Sequence, residues 1–440
     1  MDIFTDKANP LNLSESDRLF AEAGELIPGG TQTFSKAPAQ HVAGVSPKLL
    51  QRGFGSHVWD VDGNEYIDYM MSLGPNILGY ADKEVIAAAN EAAELGVISS
   101  LAHPLETELA RELVCKIPCA EMVRFGKNGS DVTAAAVRVA RAHTGRDKVL
   151  VCGYHGWQDW YIGSTSRKLG VPKVIQDLTL EFLYNDIDSL KRVFKENPDS
   201  IAGVIMEPVN FIPPERNFLE QVKSVTHANG ALLIFDEVIT GFRMGLGGAQ
   251  SEFNVIPDLA CFGKAMANGY PISALVGSSR IMRLFDEVFF SGTFAGEMVS
   301  ISAALATIRA LEERNTLKHI DSMGLRLIEG YSEIAKSLGL SAVTEMIGYG
   351  WWPEYIFYDE RGQSSLEILS LFQQEIVRRG VLTRAGMFLC GAHREEDIEK
   401  TLSKFRESLV VVRKALKSGN VLDWLDGEVI TPVIRAKATD

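Results

Sequence analysis

The chain has 440 residues, of which 46% are hydrophobic and 23% charged, with 39 glycines and 16 prolines. That composition excludes collagen-like, coiled-coil and wholly disordered chains, and at about 100–200 residues per domain the length predicts two or three domains. A net charge of −13 removes the electrostatic footprint of a nucleic-acid or anionic-membrane binder, although a helix N-terminus or a single lysine can still hold an anion at short range.

The opening stretch MDIFTDKANPLNLSESD has no basic segment and no apolar run. No stretch of about 18 apolar residues follows elsewhere, so neither a leader nor a membrane span is expected and a reducing cytoplasm is the default. A helix is predicted near Glu15–Leu26, broken by Ile27-Pro28-Gly29-Gly30. His57 to Asp68 reads as two short strands around the Asp62-Gly63 turn. From about Asp82 to Asn315 helical runs (Glu84–Ala93, Thr107–Lys116, Val132–Thr144) alternate with apolar runs that lack polar alternation (Val149–Cys152, Ile201–Met206, Ala231–Phe235). Strands apolar on both faces belong to parallel sheets covered by helices, so an α/β fold is predicted, a mostly parallel sheet with helices on both faces. The remainder mixes helices (Ile320–Leu338, Leu366–Arg379, Glu395–Leu416) with short strand-like runs, which predicts a smaller α+β domain. The expected organisation is an N-terminal segment, 1–80, shared with the small domain, a large domain over 81–315, and a C-terminal small domain over 316–440. Of the five cysteines, Cys115, Cys119, Cys152, Cys261 and Cys390, no two form a C-x-x-C pair, and the close pair Cys115 and Cys119, interrupted by Pro118, is read as buried packing thiols. No metal site is expected.

In parallel α/β sheets ligands sit at the carboxyl ends of strands. There the run Ala231–Phe235 ends in Asp236-Glu237-Val238, and Leu259–Gly263 ends in Lys264. An amine that forms a Schiff base and a carboxylate that keeps a pyridine nitrogen protonated are the pair that pyridoxal phosphate (PLP) chemistry requires. Phe125-Gly126-Lys127-Asn128-Gly129-Ser130-Asp131 is a polar turn leading into the helix Val132–Thr144, suited to a phosphate, with the Ser130 hydroxyl as a further donor. Tyr154-His155-Gly156 follows the strand Val149–Cys152 and offers a ring to stack on a flat heterocycle. Each feature alone has a plainer reading: a solvated lysine, an ordinary helix cap, a packing tyrosine. Their order along the chain is what carries the assignment.

With these residues stand Asp60-Val61-Asp62-Gly63-Asn64-Glu65-Tyr66-Ile67-Asp68-Tyr69, Gly74-Pro75-Asn76-Ile77-Leu78-Gly79, Glu207-Pro208-Val209 and Pro257-Asp258-Leu259. From Ile27 to about Leu402 the chain resembles the class III, fold-type I PLP-dependent aminotransferases, nearest the glutamate-1-semialdehyde aminomutase branch and related aminotransferases of polysaccharide and secondary metabolism. The resemblance implies a homodimer with PLP as cofactor, an amino donor and a carbonyl acceptor. It implies that Lys264 carries the Schiff base, Asp236 pairs with the pyridine nitrogen, and Tyr154 and Val238 flank the ring. Gly129 and Ser130 would bind phosphate, and Thr293 would reach a neighbouring subunit's phosphate. Glu207 and His155 would lie beside the site, or only hydrogen-bond its frame. The turn reads Asn128-Gly129-Ser130-Asp131 where relatives have Ser-Gly-Thr-Glu, and Lys36 stands where the aminomutases have an arginine, keeping the charge without the planar fork. Leu73 replaces an aromatic before Gly74-Pro75, and neither Arg384 nor Arg394 can be assigned as a carboxylate-gripping arginine. Trp157, Trp160 and Tyr161 enrich the segment beside the predicted pocket. With Lys36 they point to a sugar or hydroxylated carbonyl acceptor, core packing being the plainer alternative. The rivals are an intramolecular aminomutase using the same parts and a catalytically silent PLP binder. The absence of G-x-G-x-x-G after the first strand and of G-x-x-x-x-G-K-[ST] excludes nucleotide-binding oxidoreductases and P-loop NTPases.

Overall fold

A computed structural model describes residues 7–431. Residues 1–6, on which part of the leader reading rests, and 432–440 of the expected small domain lie outside the described residues. The chain divides into two compact units. One takes in the N-terminal part up to Leu73, then Leu78–Asp82, and resumes at Lys318; the other runs over Gly74–Ile77 and Lys83–Leu317.

The first unit begins with helix α1 (Ser14–Leu26), followed by strands β1 (Leu50–Phe54), β2 (His57–Asp60) and β3 (Glu65–Asp68). The predicted hairpin is β2 and β3, antiparallel, with Trp59 opposite Glu65. Asp60 locks its turn, accepting from the amides of Asp62 (3.1 Å) and Asn64 (2.8 Å) and from the Tyr66 hydroxyl (2.8 Å).

The second unit is the large α/β body. It contains β4 (Met122–Gly126), β5 (Lys148–Cys152), β6 (Thr179–Glu181), β7 (Ile201–Met206), β8 (Leu232–Asp236), β9 (Leu259–Phe262) and β10 (Ser273–Gly277), in the order β4-β10-β9-β8-β7-β5-β6. Only β10 runs against the rest, pairing antiparallel with both β4 and β9. Every residue of β7, β8 and β9 is buried, as the unbroken apolar runs required. Each such Val, Leu or Ile contributes about 1.5–3 kcal/mol by leaving water. Helices α2 (Lys83–Glu94) and α3 (Pro104–Lys116) precede the sheet, and α4 (Gly129–Thr144) crosses from β4 to β5. Val132, Ala136, Val139 and Ala140 of α4 pack into one core with Val149, Ile205, Ile234 and Leu275 of the sheet. The helix starts three residues before the predicted Val132, because Asp131 folds back to accept from the amides of Lys127 (3.0 Å) and Asn128 (2.8 Å). Phe125 and Gly126, read as part of a turn, close strand β4. Of the cysteine pair, Cys119 is buried and Cys115 exposed.

Back in the first unit, β11 (Thr344–Tyr349) and β12 (Trp352–Phe357) form a hairpin, and β13 (Val381–Leu382) joins β3 in parallel. Its core is aromatic, with Tyr331 edge-on to Phe405 at 5.3 Å and Tyr355 edge-on to Phe372 at 5.0 Å. His57 joins the hairpin to the helix Glu395–Ser418 through Asp397 (3.1 Å) and also meets Glu65 (2.9 Å). The hydrogen bond to Asp397 holds the imidazole above its ordinary value against partial burial. Burial pushes Asp397 up, but bonds from His57, the Arg394 amide and Ser56 outweigh it and hold the carboxyl well below the usual range. The imidazolium therefore stabilises the fold below its ordinary pKa, and that share is lost as pH rises through the raised value. His57→Gln should lower stability by about 0.5–1 kcal/mol near pH 6 and by much less near pH 9, read as the difference between denaturant melts of variant and wild type.

Candidate active site

Strand register brings the candidate groups together. Asp236, the last residue of β8, pairs with Cys261 of the adjacent parallel strand β9, and Lys264 follows the end of β9 after Gly263. On the other side of β8, Phe235 pairs with Met206 of β7, which is followed by Glu207. Met206 in turn pairs with Cys152 of β5, which leads into Gly153, Tyr154 and His155. Four neighbouring parallel strands thus end on one edge of the large unit with Tyr154, His155, Glu207, Asp236 and Lys264. β4 also ends there, and delivers the N-terminus of α4 with Gly129 and Ser130.

His155 Nδ1 lies 2.8 Å from Asp236 Oδ2. The imidazole is buried beside Trp160 (ring centroids 6.4 Å apart) and Tyr161 (5.3 Å), and its Nε2 finds no hydrogen-bond partner among the described residues. A proton on Nδ1, donated to Asp236, avoids an orphaned buried donor at Nε2. The other carboxylate oxygen, Oδ1, accepts from the Val238 amide at 3.2 Å. Glu207 accepts from the Tyr154 amide at 3.0 Å, and its carboxyl is raised by burial and then by Asp236. Lys264 adopts a left-handed backbone conformation (φ 42°), which costs a non-glycine residue about 1–2 kcal/mol and is the kind of strain that clusters at functional sites. Burial pushes its ammonium below the usual lysine value; Glu207 and Asp236 oppose that, and Arg243 adds to it.

At the start of α4, the first-turn N–H groups have no partner within the helix. The backbone there is kept bare by glycine. A Cβ on Gly129 would come within 3.1 Å of Val238, and one on Gly156 within 2.3 Å of Ser130 Oγ. Ser130 Oγ accepts from the Trp157 amide at 3.3 Å. Thr293 is exposed and lines a cavity of about 350 Å³ with Gly126, Lys127 and Asp131 of the same chain. Lys127 and Glu297 form an ion pair at 2.6 Å, and Glu297 caps the helix Met298–Glu313 by accepting from the Val299 amide at 2.8 Å. That pair ties the turn before α4 to the end of the Thr293 loop, a role with no local sequence signal.

A sequence model of the class-III aminotransferases matches residues 40–352. The chain belongs to that family. It is 38% identical over 419 residues to the 3-aminobutyryl-CoA aminotransferase of Cloacimonas acidaminovorans (strain Evry), across 93% of this chain and 100% of that one. Among solved structures, the PLP internal aldimine form of the Sphingopyxis sp. MTA144 FumI protein superposes with a TM-score of 0.86 at 30% identity, over 92% of this chain and 97% of that one. The glutamate-1-semialdehyde-aminomutase of Pseudomonas aeruginosa PAO1 shares the fold, with a TM-score of 0.80 at 23% identity over 90% of this chain and 94% of that one.

This class-III aminotransferase is a fold-type I enzyme with pyridoxal phosphate as its cofactor, and the residues present fit that group. A carboxylate ends β8, an amine stands two residues past the end of the neighbouring β9, and a glycine-lined helix N-terminus suited to a phosphate shares the same sheet edge. Tyr154 is 52% exposed and stands edge-on to Tyr161, leaving a ring face for stacking. Trp157 is 68% exposed, whereas Trp160 and Tyr161 are buried behind His155, so the aromatic run divides between surface and core. Lys36 belongs to the other unit, where it is exposed and lines a cavity of about 430 Å³ with His41, Lys48 and Arg52. Arg384, also in that unit, donates to Gln40 Oε1 (2.9 Å) and the Ser35 carbonyl (3.4 Å).

Arg243 is the residue that reading the sequence missed. Its side chain is among the largest fully buried ones, and its Nη2 donates to the Gly74 carbonyl. The signal was its place in the Asp236 block, but only the structure shows it buried within electrostatic range of Lys264. Gly156, at φ 110° and against Ser130, supplies a direct test. Gly156→Ala should displace Ser130 and strain the backbone, costing about 1–3 kcal/mol in thermal stability and weakening PLP retention on dialysis.

Proposed function

We propose that this aminotransferase moves an amino group between an amine donor and the ketone carbon of a 3-oxoacyl thioester, so that its carbonyl acceptor is of the 3-oxoacyl-CoA class. The observation that carries this reading is the 38% identity to a 3-aminobutyryl-CoA aminotransferase along that protein's whole length. Two features of the chain agree with it. Lys36 stands where a carboxylate-binding arginine would, and the Arg384 guanidinium is already held by Gln40 and Ser35. A thioester is neutral and needs no arginine fork, whereas a free carboxylate is best held by one.

In this reading Lys264 bears the cofactor, and Asp236, oriented by His155, faces the pyridine nitrogen. Tyr154 and Val238 flank the ring, with Glu207 at its edge. Gly129 and Ser130 would hold the phosphate, and Trp157 would contact substrate. When bound, PLP supplies an electron sink that acidifies the carbon bearing the amino group. Lys264, its ammonium destabilised by burial and by Arg243, would accept that carbon's proton as a neutral amine and pass it on within the same half-reaction, returning to the neutral form; the other half would run the same transfer in reverse. The five free thiols are in keeping with a reducing cytoplasm.

Borohydride treatment of the PLP-loaded protein should leave a pyridoxyl group on the Lys264 peptide. Wild type should convert 3-aminobutyryl-CoA in the presence of an oxo acid, Lys264→Ala should not, and free 3-aminobutyrate should be used more than about tenfold less well. A label on another lysine would remove the assignment, and equal use of acid and thioester would remove the substrate class.

The functional assembly we propose is a homodimer in which Thr293 of each chain completes the other's phosphate site. Mixed Lys264→Ala and Thr293→Ala chains should then recover activity that neither variant has alone, because one of the two sites regains both groups. A fully active monomer in sedimentation would refute the shared site.

A further inference from the structure

We propose that a groove beside α4 binds the phosphorylated adenosine end of a coenzyme A thioester, an inference that rests on the substrate class just given. The groove has a volume of about 440 Å³ and is lined by Arg138 and Arg141 of α4 together with Trp157, Gln158, Asp159 and Ile175. Ligand sites fall in the range of about 300–1,000 Å³.

Arg138 and Arg141 are one turn apart, so their side chains are neighbours on the helix surface. Each guanidinium makes one hydrogen bond, Arg138 to the Phe289 carbonyl (2.6 Å) and Arg141 to the Asp147 carbonyl (2.7 Å). Neither has a carboxylate within ion-pair distance among the described residues; Asp147 acts on Arg141 only at longer range, while burial and the charge of Arg138 oppose it. Two cations held together without a counter-ion favour an anion between them, and the guanidinium fork matches phosphate oxygens. Trp157 lines the same groove, and its indole is 68% exposed, a large flat apolar surface left in water. Purine rings stack on such a face irrespective of sequence or pairing. Asp159 is exposed, without an ion pair among the described residues, and its carboxylate can accept from the exocyclic amine of adenine. A sugar would use the indole but not the two cations; a bare phosphate would use the cations but not the indole. Adenine nucleotide chemistry uses all of them. The groove is also tied to the catalytic edge of its own unit, because the Trp157 amide donates to Ser130 Oγ at 3.3 Å.

The test is calorimetric titration of the PLP-loaded protein with CoA, adenosine 3′,5′-bisphosphate, pantetheine and inorganic phosphate. CoA and the bisphosphate should bind and compete, more weakly as salt rises, and pantetheine should not displace either. Arg138→Gln with Arg141→Gln should weaken CoA binding by roughly tenfold or more at unchanged melting temperature, and Trp157→Ala should weaken it several-fold. Undiminished CoA binding in these variants, or displacement by pantetheine as effective as by the bisphosphate, would overturn the groove. Displacement of CoA by inorganic phosphate at equal concentration would reduce it to an anion site and overturn the nucleotide assignment. Because free CoA is not turned over, these outcomes are separate from the fate of the thioester reading. Turnover of 3-aminobutyryl-pantetheine as fast as the CoA thioester would keep that reading and remove the groove.

Discussion

The parallel pairing of β8 with β9 is the constraint on which the rest of the site depends. Hydrogen bonding fixes Asp236 opposite Cys261, and the chain needs only Phe262 and Gly263 before it presents Lys264. Because β5 and β7 run parallel on the far side of β8, their ends present Tyr154, His155 and Glu207 at the same edge. Slipping any of these strands by one residue would turn its side chains to the opposite face and misplace its functional residue by a full step. The buried apolar strands resist that slip. Each residue of β7 and β8 is buried, so a wrong register exposes apolar surface on one side or overpacks the other.

On this frame the charges are arranged to be unequal. Asp236 and Glu207 are two carboxylates with Lys264 between their fields, and Arg243 adds a second buried cation. Burial works against all charged forms there, so each ion depends on a specific partner. Asp236 has His155 and the Val238 amide, while Glu207 has the Tyr154 amide. Lys264 has no comparable hydrogen bond among the described residues, and burial and Arg243 both press against its charged form.

The substrate class we propose rests on residues outside this frame. The exchange of an arginine for Lys36, and the engagement of Arg384 by Gln40, weaken the case for a free carboxylate as substrate. The division of Trp157 from Trp160 and Tyr161 assigns one aromatic to the surface and two to the support of His155. Residues of similar chemistry, close in sequence, thus lie exposed in one case and packed in the other.

Much of the fold was legible in the sequence, since β7, the hairpin from His57 to Asp68 and the helix from Leu366 all occur where periodicity and turn chemistry placed them. Local rules suffice there, because unbroken apolar runs have no stable alternative to burial between helices. The order of Ser130, Tyr154, Asp236 and Lys264 likewise announced PLP chemistry, as each follows a recognisable strand or opens a helix. Strand order, the reversed β10 between β4 and β9, the burial of Arg243, the Lys127–Glu297 tie and the groove that Arg138 and Arg141 share with Trp157 were decided only in three dimensions. Each joins segments far apart in sequence or depends on which way a side chain faces. Such contacts arise when distant surfaces pack and share buried charge, and no propensity, period or spacing within one segment encodes the partner.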